Sequence, residues 1–600
     1  MISAAVVAAA VGFVPATAQA AVPTADPGRA TTATFPAHEA GSATYAPGQG
    51  ASGQGASGQG ASGQGASATY ASTKDASAQD ASARKAAEEA AAKEVAAKVA
   101  ATKAELGVPR ATAEAGASAR AQQSEYFEVG MGTTTSYAHS IGLATSVSTD
   151  LTNSYVRFDV DWGDGITGED FGKAEAFVYF KHKYAEVGAH KITITATDLL
   201  TKVTSTTTKD IVVDGSEFTP HAPTRLLDTR DGTGTGTGTS AGRPVAPYGT
   251  ARVKVVGTAG IPAGVTAVAL NLTATNTSAG GHIIAYASGK EQPTTSNVNF
   301  AAGQTVPNLA IVPVGEDGYV ELANRSVGSV DLIADVTGYF TRSAAGGYTS
   351  VKPSRLVDTR EGLGTAKGQA AAQSTFGIQI AGQGGLPAKG VTAVALNVTV
   401  TDPKGSGHLT VFPSGQQAPS TSSVNFTAGQ TVANAVIVPV GPDGRINVRN
   451  GAWSPTDVIV DVTGYYSADG KAAYLPVEPR RTYDSRTSAW PLAGQEYHYE
   501  TLWTSGMALE ALVLNTTVTN PQGSGHLSVA PDPNTLDDYI AGKAVRPTPP
   551  DSSVLNWTKD ATVANLVQAS TGTTNVVDFW NRGWQSTDLI VDLYGMYERN

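Results

Sequence analysis

Residues 391–402 read VTAVALNVTVTD, and this stretch decides the fold of most of the chain. Its apolar residues alternate with small and polar ones, a period of two that predicts a strand with one apolar face. The apolar residues are Val394, Leu396, Val398 and Val400. The other face carries Asn397 in an Asn-x-Thr pattern, which matches a glycosylation acceptor. Inside an alternating strand, we interpret this asparagine as structural.

Two further stretches repeat the same strand, at 265–276 (VTAVALNLTATN) and 509–520 (LEALVLNTTVTN). Three near-copies at a spacing of roughly 120 residues indicate three copies of one domain. We therefore predict repeats at 215–341, 342–467 and 468–600, each with its own core. The short strand-like runs and Gly/Pro turns of each repeat favour a two-sheet sandwich such as a jelly roll.

Charged residues recur at fixed places in every repeat. Each repeat opens on Arg-x-x-Asp-x-Arg and closes on a strand with a central acid. These residues are Arg225, Asp228, Arg230 and Asp335 in the first repeat, Arg355, Asp358, Arg360 and Asp461 in the second, and Arg481, Asp484, Arg486 and Asp592 in the third. We interpret them as structural ion pairs within each repeat, because charges that recur with a fold usually serve the fold. The alternative is a site for an anion or a carboxylate.

The repeats resemble a module of secreted actinobacterial proteins, on their Arg-Leu-x-Asp-Thr-Arg opening and Gly-Tyr-Phe-like close. The close lies at 338–340 in the first repeat and at 464–466 in the second. The third repeat departs from the pattern, with an altered opening and residues 531–551 inserted. The resemblance implies an extracellular location and no particular activity.

Residues 124–214 precede the repeats and carry a Trp-Gly-Asp-Gly turn at 162–165. A hairpin follows with His182, Tyr184 and Gly188, and it closes on Asp198. These motifs resemble the PKD domain, an immunoglobulin-like sandwich. The resemblance implies a spacer or adhesion module without a catalytic site.

Three acids near this turn, Asp159, Asp161 and Asp164, suggest a calcium loop at first sight. Their spacing does not fit an EF-hand, which has acids at every second position before its glycine. We interpret them as a solvent-facing strand and a turn-forming aspartate. Calcium at the turn stays open as the alternative.

The N-terminal 123 residues have the composition of an exported leader and a spacer. An apolar run and Ala18-Gln19-Ala20 predict a signal peptide at 1–20. Four Gly-Gln-Gly-Ala-Ser units lie within 21–79, which we predict to be a disordered Gly/Ala/Ser-rich spacer. Alanine with Lys and Glu at helical spacing predicts a helix at 80–107, followed by a linker at 108–123.

Composition limits the classes of function. The chain has no cysteine, which excludes disulfides and thiolate metal sites. Its net charge is −11 without a basic patch, so we expect no nucleic acid as partner. We expect no cofactor and no membrane span. The expected location is secreted, either extracellular or loosely associated with the cell wall.

A search for catalytic and metal-ligating patterns returns two weak candidates. Residues 238–242 match a hydrolase nucleophile elbow in letters, but the strand and helix that the elbow requires are not predicted around them. His282, His408 and His526 recur once per repeat, and they would form a zinc site only if the repeats met around one axis. We expect tandem domains to hold them apart, so we interpret them as structural. The chain is therefore predicted not to be an enzyme.

Tryptophan is concentrated in the third repeat, and Trp453 and Trp584 occupy matching turns of the second and third repeats. An exposed indole stacks on the apolar face of a sugar ring, so Trp453, Trp580 and Trp584 are candidate ligand-binding residues. The alternative is that they cover the ends of the sandwich cores.

The sequence as a whole predicts a mainly β chain of tandem β-sandwich domains, one immunoglobulin-like PKD domain plus three repeats, preceded by a disordered segment and an Ala-rich helix. We expect a non-enzymatic cell-surface or extracellular matrix protein that acts in display, adhesion or assembly. Its expected partners are extracellular polysaccharide or other surface proteins. The alternative functions are carbohydrate binding through the third repeat and, with less support, a hydrolase with a scattered active site.

Overall fold

The computed structural model describes residues 41–44, 126–151, 154–235, 242–488, 490–501 and 507–600. The predicted signal peptide, the Ala-rich helix and the linker lie outside the described residues, as does most of the predicted spacer. Within that spacer, Gly41–Thr44 form strand β1, which pairs with residues 498–501 of the third repeat. The backbone of these four residues extends the edge of a sheet, and the disordered spacer stays a prediction for the rest of 21–79. The described residues all belong to one compact unit, 40–600.

The domain before the repeats is an antiparallel sandwich with an immunoglobulin-like arrangement. Its strands are β2 Phe127–Ser136, β3 Ser140–Thr149, β4 Tyr155–Asp161, β5 Thr167–Lys173, β6 Val178–Lys183, β7 Ala189–Asp198 and β8 Thr204–Val212. They form one sheet in the order β2-β3-β6 and a second in the order β5-β4-β7-β8.

The turn and the hairpin that the sequence singles out meet in this domain. The Tyr184 hydroxyl donates to the Trp162 carbonyl oxygen at 3.1 Å, and the His182 ring stacks on Trp162 at 4.6 Å. The second carboxylate oxygen of Asp164 contacts His182 Nε2 at 2.7 Å, and its first accepts from the Ile166 amide. These contacts make Asp164 a residue that fixes the turn.

Each repeat is a jelly roll of eight strands. The first repeat contains β9 Glu217–Asp228, β10 Thr250–Lys254, β11 Val265–Thr275, β12 Gly281–Ala287, β13 Val298–Phe300, β14 Val306–Pro313, β15 Tyr319–Ser326 and β16 Asp331–Thr341. Its first strand pairs with its eighth, the second with the seventh, the third with the sixth and the fourth with the fifth. This rolled-up pairing defines the jelly roll.

The other two repeats have the same strand pairing. The second repeat contains β17 Gly347–Asp358, β18 Thr375–Gln379, β19 Val391–Thr401, β20 Gly407–Pro413, β21 Val424–Phe426, β22 Val432–Pro439, β23 Arg445–Asn450 and β24 Asp457–Ser467. The third contains β25 Ala472–Asp484, α1 Ser485–Ser488, β26 Tyr497–Thr501, β27 Leu509–Thr519, β28 Gly525–Pro531, α2 Leu536–Ile540, β29 Leu555–Trp557, β30 Val563–Ser570, β31 Val576–Asn581 and β32 Asp588–Arg599.

Each sandwich has an inner and an outer sheet, and its own core lies between them. In the first repeat the inner sheet has the order β14-β11-β16-β9 and the outer sheet the order β10-β15-β12-β13. Strand β19, which contains most of residues 391–402, is buried on both faces. One face holds the apolar residues of the second repeat's own core, and the other holds Ala393, Ala395 and Asn397.

The second face is buried because the inner sheets of the three repeats pack against one another. Ala267, Ala269 and their equivalents belong to a further core that all three repeats share. The expectation of separate tandem domains is therefore wrong in one respect. Each repeat has its own core, and the three repeats also meet around a common axis. Small residues on these strands allow the sheets to approach closely.

Asparagines close the ring of repeats around this axis. In each repeat an amide donates to an asparagine of another repeat: Asn434 to Asn271 at 2.8 Å, Asn565 to Asn397 at 2.9 Å, and Asn308 to Asn515 at 2.9 Å. Asn271, Asn397 and Asn515 then donate to carbonyl oxygens of Ser422, Ser553 and Ser296, again in another repeat. Buried amides need such partners, and each of these six asparagines has at least one partner across an interface.

Six aromatic rings fill one end of the axis, and we call them the proximal cluster. They are Phe218, Phe340, Tyr348, Tyr466, Tyr474 and Tyr597, all buried. Each ring from an opening strand contacts a ring from the closing strand of another repeat, in the pairs Phe218–Tyr466, Tyr348–Tyr597 and Phe340–Tyr474. We call the end of the inner strands that these rings fill the proximal end. The distal end lies at Thr275, Asp331 and their equivalents in the other repeats.

The glycine of each closing motif makes room for this cluster. A Cβ atom at Gly338, Gly464 or Gly595 would overlap the ring of Phe218, Tyr348 or Tyr474, respectively. The Gly-x-aromatic close of the repeat is thus a packing device. The glycine accommodates the aromatic ring of the same repeat, and the following aromatic contacts the next repeat.

The immunoglobulin-like domain sits at the proximal end. Ala473 of the third repeat joins the core of this domain, and Ala138 donates its amide to Glu598 Oε2 at 2.8 Å. At the same end, Ser216 of the first repeat and Tyr474 of the third exchange two backbone hydrogen bonds. Among the described residues, no helix is long and apolar enough to cross a membrane.

Candidate functional site

The repeated charges form the same network in all three repeats. In the second repeat, Arg355 Nε donates to Asp461 Oδ1 at 2.9 Å and Arg355 Nη1 to Asp358 at 3.3 Å. Arg360 binds Asp358 through Nε at 2.9 Å and Nη2 at 2.7 Å. The equivalent bonds join Arg225, Asp228, Arg230 and Asp335 in the first repeat, and Arg481, Asp484, Arg486 and Asp592 in the third.

This network also belongs to the interfaces between repeats. Asp461 is fully buried and accepts a hydrogen bond from the backbone of Ser553, and Arg355 donates to the Asp551 carbonyl oxygen at 3.2 Å. Burial raises the pKa of Asp461, although Arg355 opposes the shift. The hydrogen bond from Arg360 lowers the pKa of Asp358. The guanidinium groups are thus committed to internal carboxylates and do not converge on an open groove.

The three repeated histidines are not grouped at one metal site, and His282 and His526 each lie near an arginine of another repeat. The pKa of His282 is lowered by burial and by Arg325 and Arg481, and that of His526 is lowered to about 4 by burial, Arg582 and Arg355. Burial and Arg449 lower the pKa of His408. Among the described residues, no three metal-ligating side chains form a group that could hold an ion.

The structure separates the three candidate tryptophans. Trp580 is only 1% exposed, and its ring stacks on Tyr497 at 4.6 Å. It lies on the outward face of β31, where residues of the third repeat's insertion cover it. Trp580 is therefore not an exposed ring on which a sugar could stack. Trp453 and Trp584 are 87% and 82% exposed and do not cover a core.

Trp453, Trp584 and Val327 occupy equivalent turns, each between the seventh and eighth strands of its repeat. All three are exposed at the distal end. A buried asparagine pins each turn. Asn450 donates to the carbonyl oxygens of residues 370, 371 and 454, and Asn324 and Asn581 make the corresponding bonds in their repeats. The exposed side chains are thus presented on rigid turns.

Other exposed large apolar residues gather at the same end. Tyr248, Leu363 and Trp490 each lie beside a backbone bridge or hydrogen bond at the distal ends of the strands. Of the exposed large apolar residues described in the repeats, only Ile540 and Val545, in the insertion, lie elsewhere. A concentration of exposed aromatic residues on one end indicates a contact surface.

Two features of the repeats have no local signal in the sequence. The proximal cluster joins rings from opening and closing strands of different repeats, which no single repeat reveals. In the third repeat, Asp532 and Asp578 lie close together although they are far apart in the chain. Only the inserted length at 531–551 hints that this repeat differs.

No protein-family model matches this chain, and no curated protein matches it in sequence. Among solved structures, one described as the atomic structure of Sulfolobus Turreted Icosahedral Virus aligns at 9% identity and a TM-score of 0.14, covering 64% of this chain and 91% of its own. A second, described as the triple jelly roll fold and turret assembly in an archaeal virus, has the same identity and TM-score and covers 64% and 90%.

A third solved structure is described as a tetra-tandem repeat in the extending region of a large adhesion protein. It aligns at 12% identity and a TM-score of 0.13, covering 78% of this chain and 98% of its own. TM-scores this low support no argument about the function of this chain.

Proposed function

We propose that the protein is a secreted, non-enzymatic surface protein that adheres to extracellular polysaccharide through the distal end of its three repeats. The observation that carries the proposal is the pair Trp453 and Trp584, almost fully exposed on equivalent turns that buried asparagines hold rigid. The export pattern at 1–20 and the resemblances to the PKD domain and the actinobacterial repeat support an extracellular location.

The chemistry of the distal end favours a carbohydrate. An indole ring matches the apolar C–H face of a pyranose, and polar side chains beside it supply hydrogen bonds. Ser454 follows Trp453 directly, and the exposed Gln585 follows Trp584. Two pairs of opposite charge lie there, Asp402 with Lys404 and Lys559 with Asp560. Such a balanced surface does not favour anionic lipid or nucleic acid.

The arrangement around one axis favours a polymer over a single sugar. Equivalent turns at fixed separations can contact successive segments of one polysaccharide. Once the first turn has bound, the other turns bind the same polymer molecule at a high effective concentration. Weak stacking at each turn then adds up to firm attachment. The immunoglobulin-like domain at the proximal end leaves the distal end free to face such a surface.

The test is a sedimentation assay with the full chain and insoluble cellulose, chitin and peptidoglycan. We expect at least one polymer to retain the protein. The Trp453→Ala/Trp584→Ala double variant is expected to bind at least tenfold more weakly. The matched control is Phe177→Ala/Tyr179→Ala, which removes two aromatic side chains of the immunoglobulin-like domain that are 62% and 65% exposed.

Equal retention of the tryptophan variant and the control would contradict the proposal, as would failure of all three polymers to retain the wild-type chain. A parallel assay uses vesicles of phosphatidylcholine and phosphatidylglycerol. Tryptophan-dependent sedimentation with the vesicles alone would assign the distal end to a lipid surface instead.

A further inference from the structure

The third repeat differs from the other two on the outward face of its outer sheet. The first repeat has Arg252 opposite Glu321 there, and the second has Gly377 opposite Asn447; none of these four residues is buried. The equivalent pair in the third repeat is Tyr499 and Asp578, both buried. The neighbouring pair is Tyr497 and Trp580, also buried. Aromatic rings and an acid thus replace a solvated surface.

A longer connection covers this face, and we call residues 532–551 the strap. It runs from β28 towards β29 and contains α2, which begins with a capping box at Thr535 and Asp538 and has no buried residue. Two hydrogen bonds within the strap join its beginning to a residue near its end. Asn534 donates to the Val545 carbonyl oxygen and accepts from the Val545 amide, each at 2.8 Å. Because α2 has no buried residue, the strap is attached to the sheet by the few side chains described next.

Tyr539 is the central attachment of the strap. Its ring stacks on Tyr499 with centroids 3.7 Å apart. Its hydroxyl donates to Asp532 Oδ2 at 2.5 Å and lies 3.2 Å from the Tyr497 hydroxyl. A second attachment is Arg546, which pairs with Glu496 and lies over the rings of Tyr497 and Trp580.

Two polar groups beneath the strap are buried with poor hydrogen-bond geometry. Asp578 Oδ1 and Trp580 Nε1 lie near each other and near Asp532, but neither atom makes a hydrogen bond of ordinary geometry, and each side chain is only 1% exposed. Burial, and then the neighbouring Asp532, raises the pKa of Asp578 to about 10, so the group is protonated at neutral pH. A buried donor and a buried acceptor that are poorly aligned with each other destabilise the closed arrangement. A ligand hydroxyl placed between them would satisfy both, because it accepts from the indole N–H and donates to the carboxyl oxygen.

We propose that the strap closes a saccharide-binding site, in which the Tyr539 ring holds the place of a sugar ring when no sugar is bound. The site would supply an aromatic platform, Tyr499, and hydroxyl-binding groups on Asp532, Asp578 and Trp580. A phenol that stacks on a tyrosine and donates its hydroxyl to a carboxylate makes the two kinds of contact that a bound pyranose makes. This site is separate from the distal end and does not depend on the function proposed for it.

The experiment uses the full chain with Trp453→Ala and Trp584→Ala throughout, so that the distal end does not contribute. Saturation-transfer difference NMR measures the binding of glucose, N-acetylglucosamine and mannose. Adding Tyr539→Ala removes the competing ring, and we expect at least tenfold tighter binding of at least one sugar. Further addition of Trp580→Phe, which keeps an aromatic ring and removes the N–H, is expected to reverse most of this gain.

A second measurement follows the strap itself. Trypsin cleavage after Lys543, an exposed residue of the strap, is expected to be faster with the bound sugar than without it when Tyr539 is present. If Tyr539→Ala does not fold, Tyr539→Phe tests the loss of the hydroxyl contacts alone. A folded Tyr539 variant that binds none of the three sugars, or whose binding Trp580→Phe does not change, would overturn the proposal.

Discussion

The two ends of the inner strands use aromatic residues in opposite ways. At the proximal end, six rings are buried where the repeats meet. At the distal end of the same sandwiches, Trp453 and Trp584 remain almost fully exposed. Burying a large ring stabilises a fold by about 1.5–3 kcal/mol, and the distal residues forgo that gain. Rings at the proximal end therefore hold the repeats together, whereas the exposed rings at the distal end contribute little to the packing of the molecule.

The largest expected effect concerns the charge network that joins the repeats. Asp461→Asn removes the fully buried negative charge that binds Arg355 Nε, and Asp358 is then the carboxylate that stays bound to this guanidinium. We expect the free energy of unfolding to fall by about 3–5 kcal/mol. Chemical denaturation of the full chain measures it.

The matched control for this change is Asp402→Asn. Asp402 pairs with Lys404, and both side chains are more than half exposed. Its loss should change the free energy of unfolding by under ~1 kcal/mol. Equal effects of the two substitutions would contradict the structural role that we give to the network.

The second prediction tests the packing of the proximal cluster. Gly464→Ala places a methyl group against the Tyr348 ring, which other repeats hold in place. We expect a loss of about 1–3 kcal/mol, measured as a lower melting temperature. Gly132→Ala is the control, because its added methyl group would meet no atom within 4 Å. A wild-type melting temperature for Gly464→Ala would show that the proximal cluster tolerates the extra volume.

The third prediction concerns acid. His526 has a pKa of about 4 in the folded chain, against an ordinary value of 6.5, because burial and two arginines disfavour its charge. Between these values the unfolded chain binds a proton that the folded chain does not. The free energy of unfolding should therefore fall as the pH is lowered from 6.5 to 4 and change little from this group above 7.

Replacing this histidine isolates its share of the acid sensitivity. His526→Gln should flatten the pH dependence over the same window, since the neutral side chain takes up no proton. Thermal melting at half-unit pH steps compares the two chains. If the dependence of stability on pH were the same in the variant, His526 would not be a cause of the acid sensitivity.

The smallest expected effect on stability lies at the distal end. The Trp453→Ala/Trp584→Ala double variant should keep the free energy of unfolding within about 0.5 kcal/mol per substitution, because neither ring is buried. Its loss of polysaccharide binding would then reflect recognition and not unfolding. A fall of several kcal/mol would mean that these rings support the fold and would weaken the contrast between the two ends.

Much of the fold could be predicted from local pattern. Alternation in 391–402 identified the strand and its core face, and recurrence of that strand indicated three repeats of one sandwich. The charges of the opening strand recur with the same spacing, and each closing strand has a central acid, which pointed to the ion pairs that the structure contains. These features are determined by sequence because strand period and motif spacing are properties of each repeat alone.

The tertiary structure decided what lies on the second face of each sheet. Small and polar residues such as Ala395 and Asn397 suit solvent as well as a close interface, so alternation alone does not distinguish the two. Trp580 points outward from its strand, and only the strap, which folds back from another part of the chain, buries it. Burial of such residues depends on which surfaces meet. Which surfaces meet depends on the shape and the hydrogen bonds of residues that are distant in sequence. A local sequence pattern therefore does not contain this information.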